Sequence, residues 1–153
     1  MKKKFLLAIL LVMTLLVTGC GSKEESKILT CTRNATVTAG VKMELVYKAT
    51  YKGDYVEMIE TEEKVISDTE SVLETYKASI EAMYSPYKGV EHYNYSVDVS
   101  GDTLTSKTKI DYSKIDTDKL IEIDSANATL IKDGKIKVDD VRLMYEKVGA
   151  TCK

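Results

Sequence analysis

The chain has 153 residues, with 22 basic and 24 acidic side chains and 44% apolar residues, the composition of a soluble globular domain rather than a disordered or multispanning chain. Loss of the N-terminal signal described below removes three lysines, leaving 19 basic against 24 acidic residues, a net charge near −5. That balance argues against a nucleic-acid partner, which would call for a basic face, and the roughly 134 residues that remain are the size of one ordinary domain.

Residues 1–19 read as a lipoprotein signal peptide: Lys2, Lys3 and Lys4 precede a run from Phe5 to Val17 that is apolar except for Thr14. The run is too short to span a bilayer, which takes about 20 apolar residues. It ends in Val17-Thr18-Gly19-Cys20, the form of a bacterial lipobox, in which Cys20 is lipidated and becomes the new N-terminus. A diacylglyceryl cysteine supplies the two chains needed for stable attachment. The expected partner of this end is therefore the membrane, and the expected location is the bacterial cell envelope, lipid-anchored on its extracytoplasmic face. Residues 20–27 form the lipidated cysteine and a polar, flexible tether reaching about 25 Å, and residues 28–153 form the single folded domain.

Ile28 to Arg33 is a short β-type run, followed by turn-prone residues at Asn34-Ala35-Thr36 and Ala39-Gly40. Val41, Met43, Leu45, Tyr47, Ala49 and Tyr51 then alternate with polar residues, interrupted by Val46, so this strand has one buried and one wet face. Lys52-Gly53-Asp54 turns it into a return strand from Tyr55 to about Ile66, a β-hairpin with an acidic far half at Glu57, Glu60, Glu62 and Glu63. Ser67 and Glu70 have capping-box spacing, and Val72, Leu73, Tyr76, Ile80, Met83, Tyr84 and Tyr87 make the stripe of an amphipathic helix that Pro86 ends or kinks in its last turn. Tyr93 to Val99 and Leu104 to Tyr112 form a second hairpin about Ser100-Gly101-Asp102. Asp116 caps a short helix through about Asp124, and Ser125 to Lys137 is irregular, with a turn at Asp133-Gly134. Val138, Val141, Met144, Tyr145 and Val148 recur at helical spacing before Gly149.

Hairpins rather than alternating βαβ units imply an α+β fold: a mainly antiparallel sheet of two hairpins plus an N-terminal strand, with one long helix and a C-terminal helix packed against it. With Cys20 consumed by lipid, Cys31 and Cys152 are an even pair in a compartment that permits disulfides. A bond between them predicts Cα atoms about 4.4 to 6.8 Å apart. Two free thiols are the alternative, and a zinc site would need more ligands than His92, the single histidine, can add.

The lipobox, the Cys31-Thr32 pair, the Tyr/Lys-rich hairpin, the long amphipathic helix, the second hairpin ending Ile110-Asp111-Tyr112 and the Cys152-Lys153 ending after Gly149 together resemble the YehR-like bacterial lipoproteins. The resemblance spans essentially the whole mature chain. It implies a small α+β lipoprotein domain without an established activity, and brings no catalytic residue with it.

Three groups of residues are candidates for chemistry. His92, the single histidine, is the first candidate for acid-base work, but no nucleophile or orienting carboxylate stands at meaningful spacing. The carboxylates Glu57, Glu60, Glu62, Glu63, Asp68 and Glu70, and the set Asp116, Asp118 and Asp124, invite a cation reading, yet neither has EF-hand spacing; helix caps and a solvated face explain them, and no metal or cofactor is implied. Ten tyrosines with no tryptophan are the oddest compositional feature. Tyr84, Tyr87, Tyr93 and Tyr95 cluster where the long helix meets the second hairpin, suited either to packing or to recognition of a peptide, a glycan or an envelope protein. The expectation is a non-catalytic binding or envelope-interaction module; the alternative is an envelope hydrolase or metal-assisted enzyme using dispersed carboxylates and His92.

Overall fold

The computed structural model describes residues 24–153; the signal, Cys20 and the start of the tether lie outside the described residues. Strands β1 (Lys27–Thr38), β2 (Val41–Lys52) and β3 (Tyr55–Ile66) form a meander, followed by helix α1 (Glu70–Tyr84) and the hairpin of β4 (Tyr93–Ser100) and β5 (Thr103–Asp111). Helix α2 (Thr117–Ile123), a small hairpin of β6 (Ile131–Lys132) and β7 (Lys135–Ile136), helix α3 (Val138–Lys147) and strand β8 (Thr151–Cys152) complete the chain. The main sheet has six strands in the order β4-β5-β3-β2-β1-β8, antiparallel throughout.

The first strand is twice the expected length. Asn34, Ala35 and Thr36 do not turn, because each pairs with a residue of β2, and the reversal falls instead at Ala39-Gly40, where Gly40 takes φ +80°. The architecture is thus a three-stranded meander joined to a hairpin rather than a lone strand with two hairpins. The capping box also fails to form: α1 starts at Glu70 with Thr69 in the cap position, while Ser67 is buried, donates its N–H to Asp102 O at 2.9 Å and accepts the Thr69 N–H on Oγ. Ser67 is therefore committed to fastening the end of β3 to the β4–β5 turn. Leu73 and Ile80 of the α1 stripe are buried, whereas Met83 is 64% exposed.

Pro86 lies in a 3-10 turn, Ser85–Tyr87, that closes α1. Asp116 caps α2 by accepting the N–H groups of Asp118 and Lys119 at 3.1 and 3.2 Å. The stretch expected to be irregular holds a second 3-10 turn, Ser125–Thr129, and then β6 and β7, too short to show a period but packed through the buried Ile131 and Ile136. Gly149 ends α3 at φ +86°, with its N–H on Glu146 O and that of Ala150 on Tyr145 O.

Cys31 and Cys152 form a disulfide. Thr30 and Lys153 exchange two backbone hydrogen bonds of 3.0 and 2.9 Å, so the cysteines one step along are a non-hydrogen-bonded pair, in which opposed strands approach most closely. Their Cα atoms are 4.0 Å apart, nearer than the expected window. Strand β8, which places Cys152 there, is two residues long and carries no sequence signal of its own.

Register assigns every strand residue to a face. Leu29, Cys31, Leu45, Ala49, Ile59, Val65, Leu104 and Thr108 point to one side and are buried. Two apolar clusters form there, one joining α1 to the β3 and β5 region, the other joining α2, β6, β7 and α3 to β1, β2 and β3. All the helices thus contribute to the same face. None of those among the described residues is long and apolar enough to cross a membrane.

Candidate functional site

The opposite face of the sheet carries a groove of about 630 Å³. Two cross-strand rows build it. Lys48, Glu60, Lys109 and Asn94 stand opposite one another on β2, β3, β5 and β4, and Val46, Glu62, Lys107 and Ser96 form the next row on that face. Between them, Thr61, Thr108 and Tyr95 send their side chains to the helical face, so their main chain forms the floor. The charges alternate because β3 contributes acids in the same phase in which β5 contributes lysines: Lys109 lies 3.0 Å from Glu60, and Lys107 and Lys64 lie 3.1 and 3.2 Å from Glu62. Hydrogen bonds from Lys107 and Lys64 hold the Glu62 carboxyl below its ordinary range. These exposed pairs are weak enough to exchange partners. The surface therefore offers ammonium donors, carboxylate acceptors, an amide and a hydroxyl to a polar ligand lying across the strands.

The four tyrosines meet as one cluster on the helical face. The Tyr87 and Tyr93 rings stack with centroids 4.6 Å apart, Tyr84 stacks on Tyr95 at 5.4 Å, and Tyr84 tilts against Tyr93 at 6.4 Å. All four are half-buried. Burial raises the pKa of Tyr84 and of Tyr93, and a hydrogen bond from Thr108 partly offsets the effect on Tyr84. A further stack joins β2 to α3, Tyr47 on Tyr145 at 4.0 Å, and burial pushes Tyr47 up to about 12. Ring faces are thus largely turned to one another.

The other candidates do not converge. His92 adopts φ +66° and places Nε2 3.5 Å from Glu91, a side chain 88% exposed. Glu57 pairs with Lys52 at 3.2 Å, and Glu60 and Glu62 with the lysines above. Glu63 lies on the helical face, half-buried, where burial raises its pKa. Period two thus splits the acidic run between the two sides of the sheet. Asp116 and Asp124 accept backbone N–H groups at the starts of α2 and the second 3-10 turn. Among the described residues no three His, Cys, Asp or Glu groups come together in a metal-holding arrangement. Sequence reasoning missed Lys48, Lys107, Lys109, Asn94 and Ser96. Their signal was the polar phase of three alternating strands, which acquires meaning only once register aligns them.

The chain matches the family described as "Protein of unknown function (DUF1307)" over residues 30–150 and belongs to it. It is 24% identical to the uncharacterized lipoprotein Lmo0207 of Listeria monocytogenes over 97% of this chain and 94% of that one. It is 28% identical to the uncharacterized lipoprotein Lin0239 of Listeria innocua over 84% and 81%. Among solved structures, E. coli YehR has the same fold with a TM-score of 0.54 at 19% identity, covering 83% of this chain and 91% of that one. A protein from Streptococcus pneumoniae has a TM-score of 0.56 at 17% identity, covering 100% and 97%. The likeness to the YehR-like lipoproteins read from the sequence therefore holds at the level of family and fold.

Proposed function

We propose that this member of the DUF1307 family is a lipid-anchored protein of the bacterial cell envelope, held on the extracytoplasmic face through Cys20, and that its domain is a non-catalytic binding module. The anchor is supported by the Val17-Thr18-Gly19-Cys20 lipobox and by the two relatives named lipoproteins. The binding role rests on one observation: the helices gather on one face of the sheet, and the bare face carries the groove lined by Lys48, Lys107, Lys109, Glu60, Glu62, Asn94 and Ser96. Three cations against two carboxylates leave this surface close to neutral. A polyanion therefore gains little there, whereas an extended polar chain, a peptide or glycan of the envelope, meets donors and acceptors across several strands.

Replacing Lys107 with a photoreactive residue in the full-length chain, in intact cells, tests the reading. Irradiation should capture an envelope component, and Lys48→Glu with Lys109→Glu should abolish the capture. Absence of a product, or turnover of an envelope substrate by the purified protein, would overturn it. Cys20→Ala should release the protein from membrane fractions; retention of a correctly trimmed Cys20→Ala chain would remove the anchor from the proposal.

A further inference from the structure

Strand β4 is the outer edge of the main sheet. The Asp111 N–H donates to His92 O, which sets the hydrogen-bonding phase of the β4–β5 ladder: Asn94, Ser96, Asp98 and Ser100 bond inward to β5. The N–H and C=O groups of Tyr95, Val97 and Val99 therefore point away from the sheet. Among the described residues no hydrogen bond from any other element reaches them, whereas the Tyr93 N–H is already given to Val90 O. Natural edges are blunted by lysine, proline, a bulge or shortness. This one is eight residues long and carries no lysine, proline or bulge, and Asp98 is its single charge.

The side chains also stop short of full burial. One strand inward, Leu104, Ser106 and Thr108 are 0%, 3% and 7% exposed, whereas Tyr95, Val97 and Val99 on the same face are half-buried. An added strand with the same alternation would extend that face over them.

We infer that β4 is a self-association edge, pairing antiparallel with β4 of a second copy of this chain about a two-fold axis at Val97. In this register Val97 faces Val97 and Tyr95 faces Val99 on the helical face, so all three free N–H groups of each copy meet free C=O groups of the other. On the bare face Ser96 stands opposite Asp98 twice, a hydroxyl donor against a carboxylate. The segment from Tyr95 to Val99 is thus complementary to its own reversal, as an isologous interface requires. A slip of one pairing step toward the β4–β5 turn would set Asp98 against Asp98, and a slip the other way would need the Tyr93 N–H that Val90 occupies. The product would be one sheet of twelve strands, made from the six of each copy, with the two grooves on the same bare face.

Ser96 and Asp98 would be a non-hydrogen-bonded pair across this interface, close enough for a disulfide. The full-length chain carrying Ser96→Cys and Asp98→Cys, oxidised in intact cells, should give a disulfide-linked product of twice the monomer mass, which Thr36→Cys on β1 should not. Val97→Pro removes an N–H that the β4–β5 ladder does not use, so it should cut that product at least tenfold while β5 amides stay protected from exchange. For the purified full-length protein in detergent, Ser96→Asp should lower the sedimenting mass to that of a monomer, and Ser96→Asp with Asp98→Ser should restore the dimer. No linked dimer, linkage undiminished by Val97→Pro, failure of the double exchange to restore mass, or linkage of the introduced thiols to a different protein would each overturn the proposal.

Discussion

Breaking the Cys31–Cys152 disulfide should destabilise the domain more than any surface change. The bond closes a loop across a sequence separation of 121 residues, and the loop-entropy model gives about 5 kcal/mol for that length, an upper figure because structure remaining in the unfolded chain reduces it. Little else holds β8: two pairings to β1, the Thr30–Lys153 exchange and the buried Ala150 behind Gly149. At this size each kcal/mol shifts Tm by about 3 to 5 °C. Even at half the model value, reduction should lower Tm by roughly 8 °C or more. Thermal melts of the mature chain with and without reductant measure this, and Cys31→Ala with Cys152→Ala should reproduce the reduced melt. Hydrogen exchange gives a local readout: the Lys153 amide should lose protection on reduction while the β2–β3 ladder keeps its own. A Tm change below about 2 °C after confirmed reduction, or an unchanged Lys153 amide, would refute the reasoning and assign the closure of the sheet to packing alone.

Three further outcomes follow from the buried and capping groups. Burial raises the pKa of Tyr47, Tyr84, Tyr93, Tyr112 and Tyr145, with Tyr47 and Tyr112 pushed up to about 12; the unfolded chain loses these protons near pH 10 while the fold keeps them, so stability should be whole below about pH 10 and fall through pH 12, and absorbance at 295 nm should show these rings ionising as the fold is lost. Burial likewise raises the carboxyl of Glu63, so its charged form works against folding at neutral pH; Glu63→Gln should raise Tm at pH 7, with the gain fading as pH falls through the raised pKa and gone by about pH 4, checked by paired melts. Asp116→Ala removes the side chain that accepts two N–H groups at the start of α2 and should cost about 1 kcal/mol, read from denaturant midpoints.

What could be read from the sequence depended on the length over which a pattern repeats. The alternation in β2 from Val41 and the three-four spacing around Leu73 and Ile80 are long enough to declare a strand and a helix, and both lie where their periods put them. The extension of β1 past Arg33 was hidden because Asn34 and Thr36 suit turns locally; a full-length partner in β2 overrides that preference. Strands β6, β7 and β8 are two residues each, below any period. The groove was illegible for a different reason: Lys48, Glu60, Lys109 and Asn94 become neighbours only through three registers, each of which must be known to the residue. The tyrosine cluster, by contrast, was visible as local density, since α1 and β4 adjoin in sequence.

Strand β1 starts at Lys27 and is matched to β2 over eleven residue pairs. A load applied at its N-terminus acts along the strand axis. Those pairs are then strained in shear and share the load, instead of opening one after another as in a hairpin peeled from its tip. Four residues in, at Cys31, part of the load passes covalently to the strand on the other flank. The entry strand is thus gripped from both sides at the end that feels the force first, the arrangement that makes detachment slow under such a load.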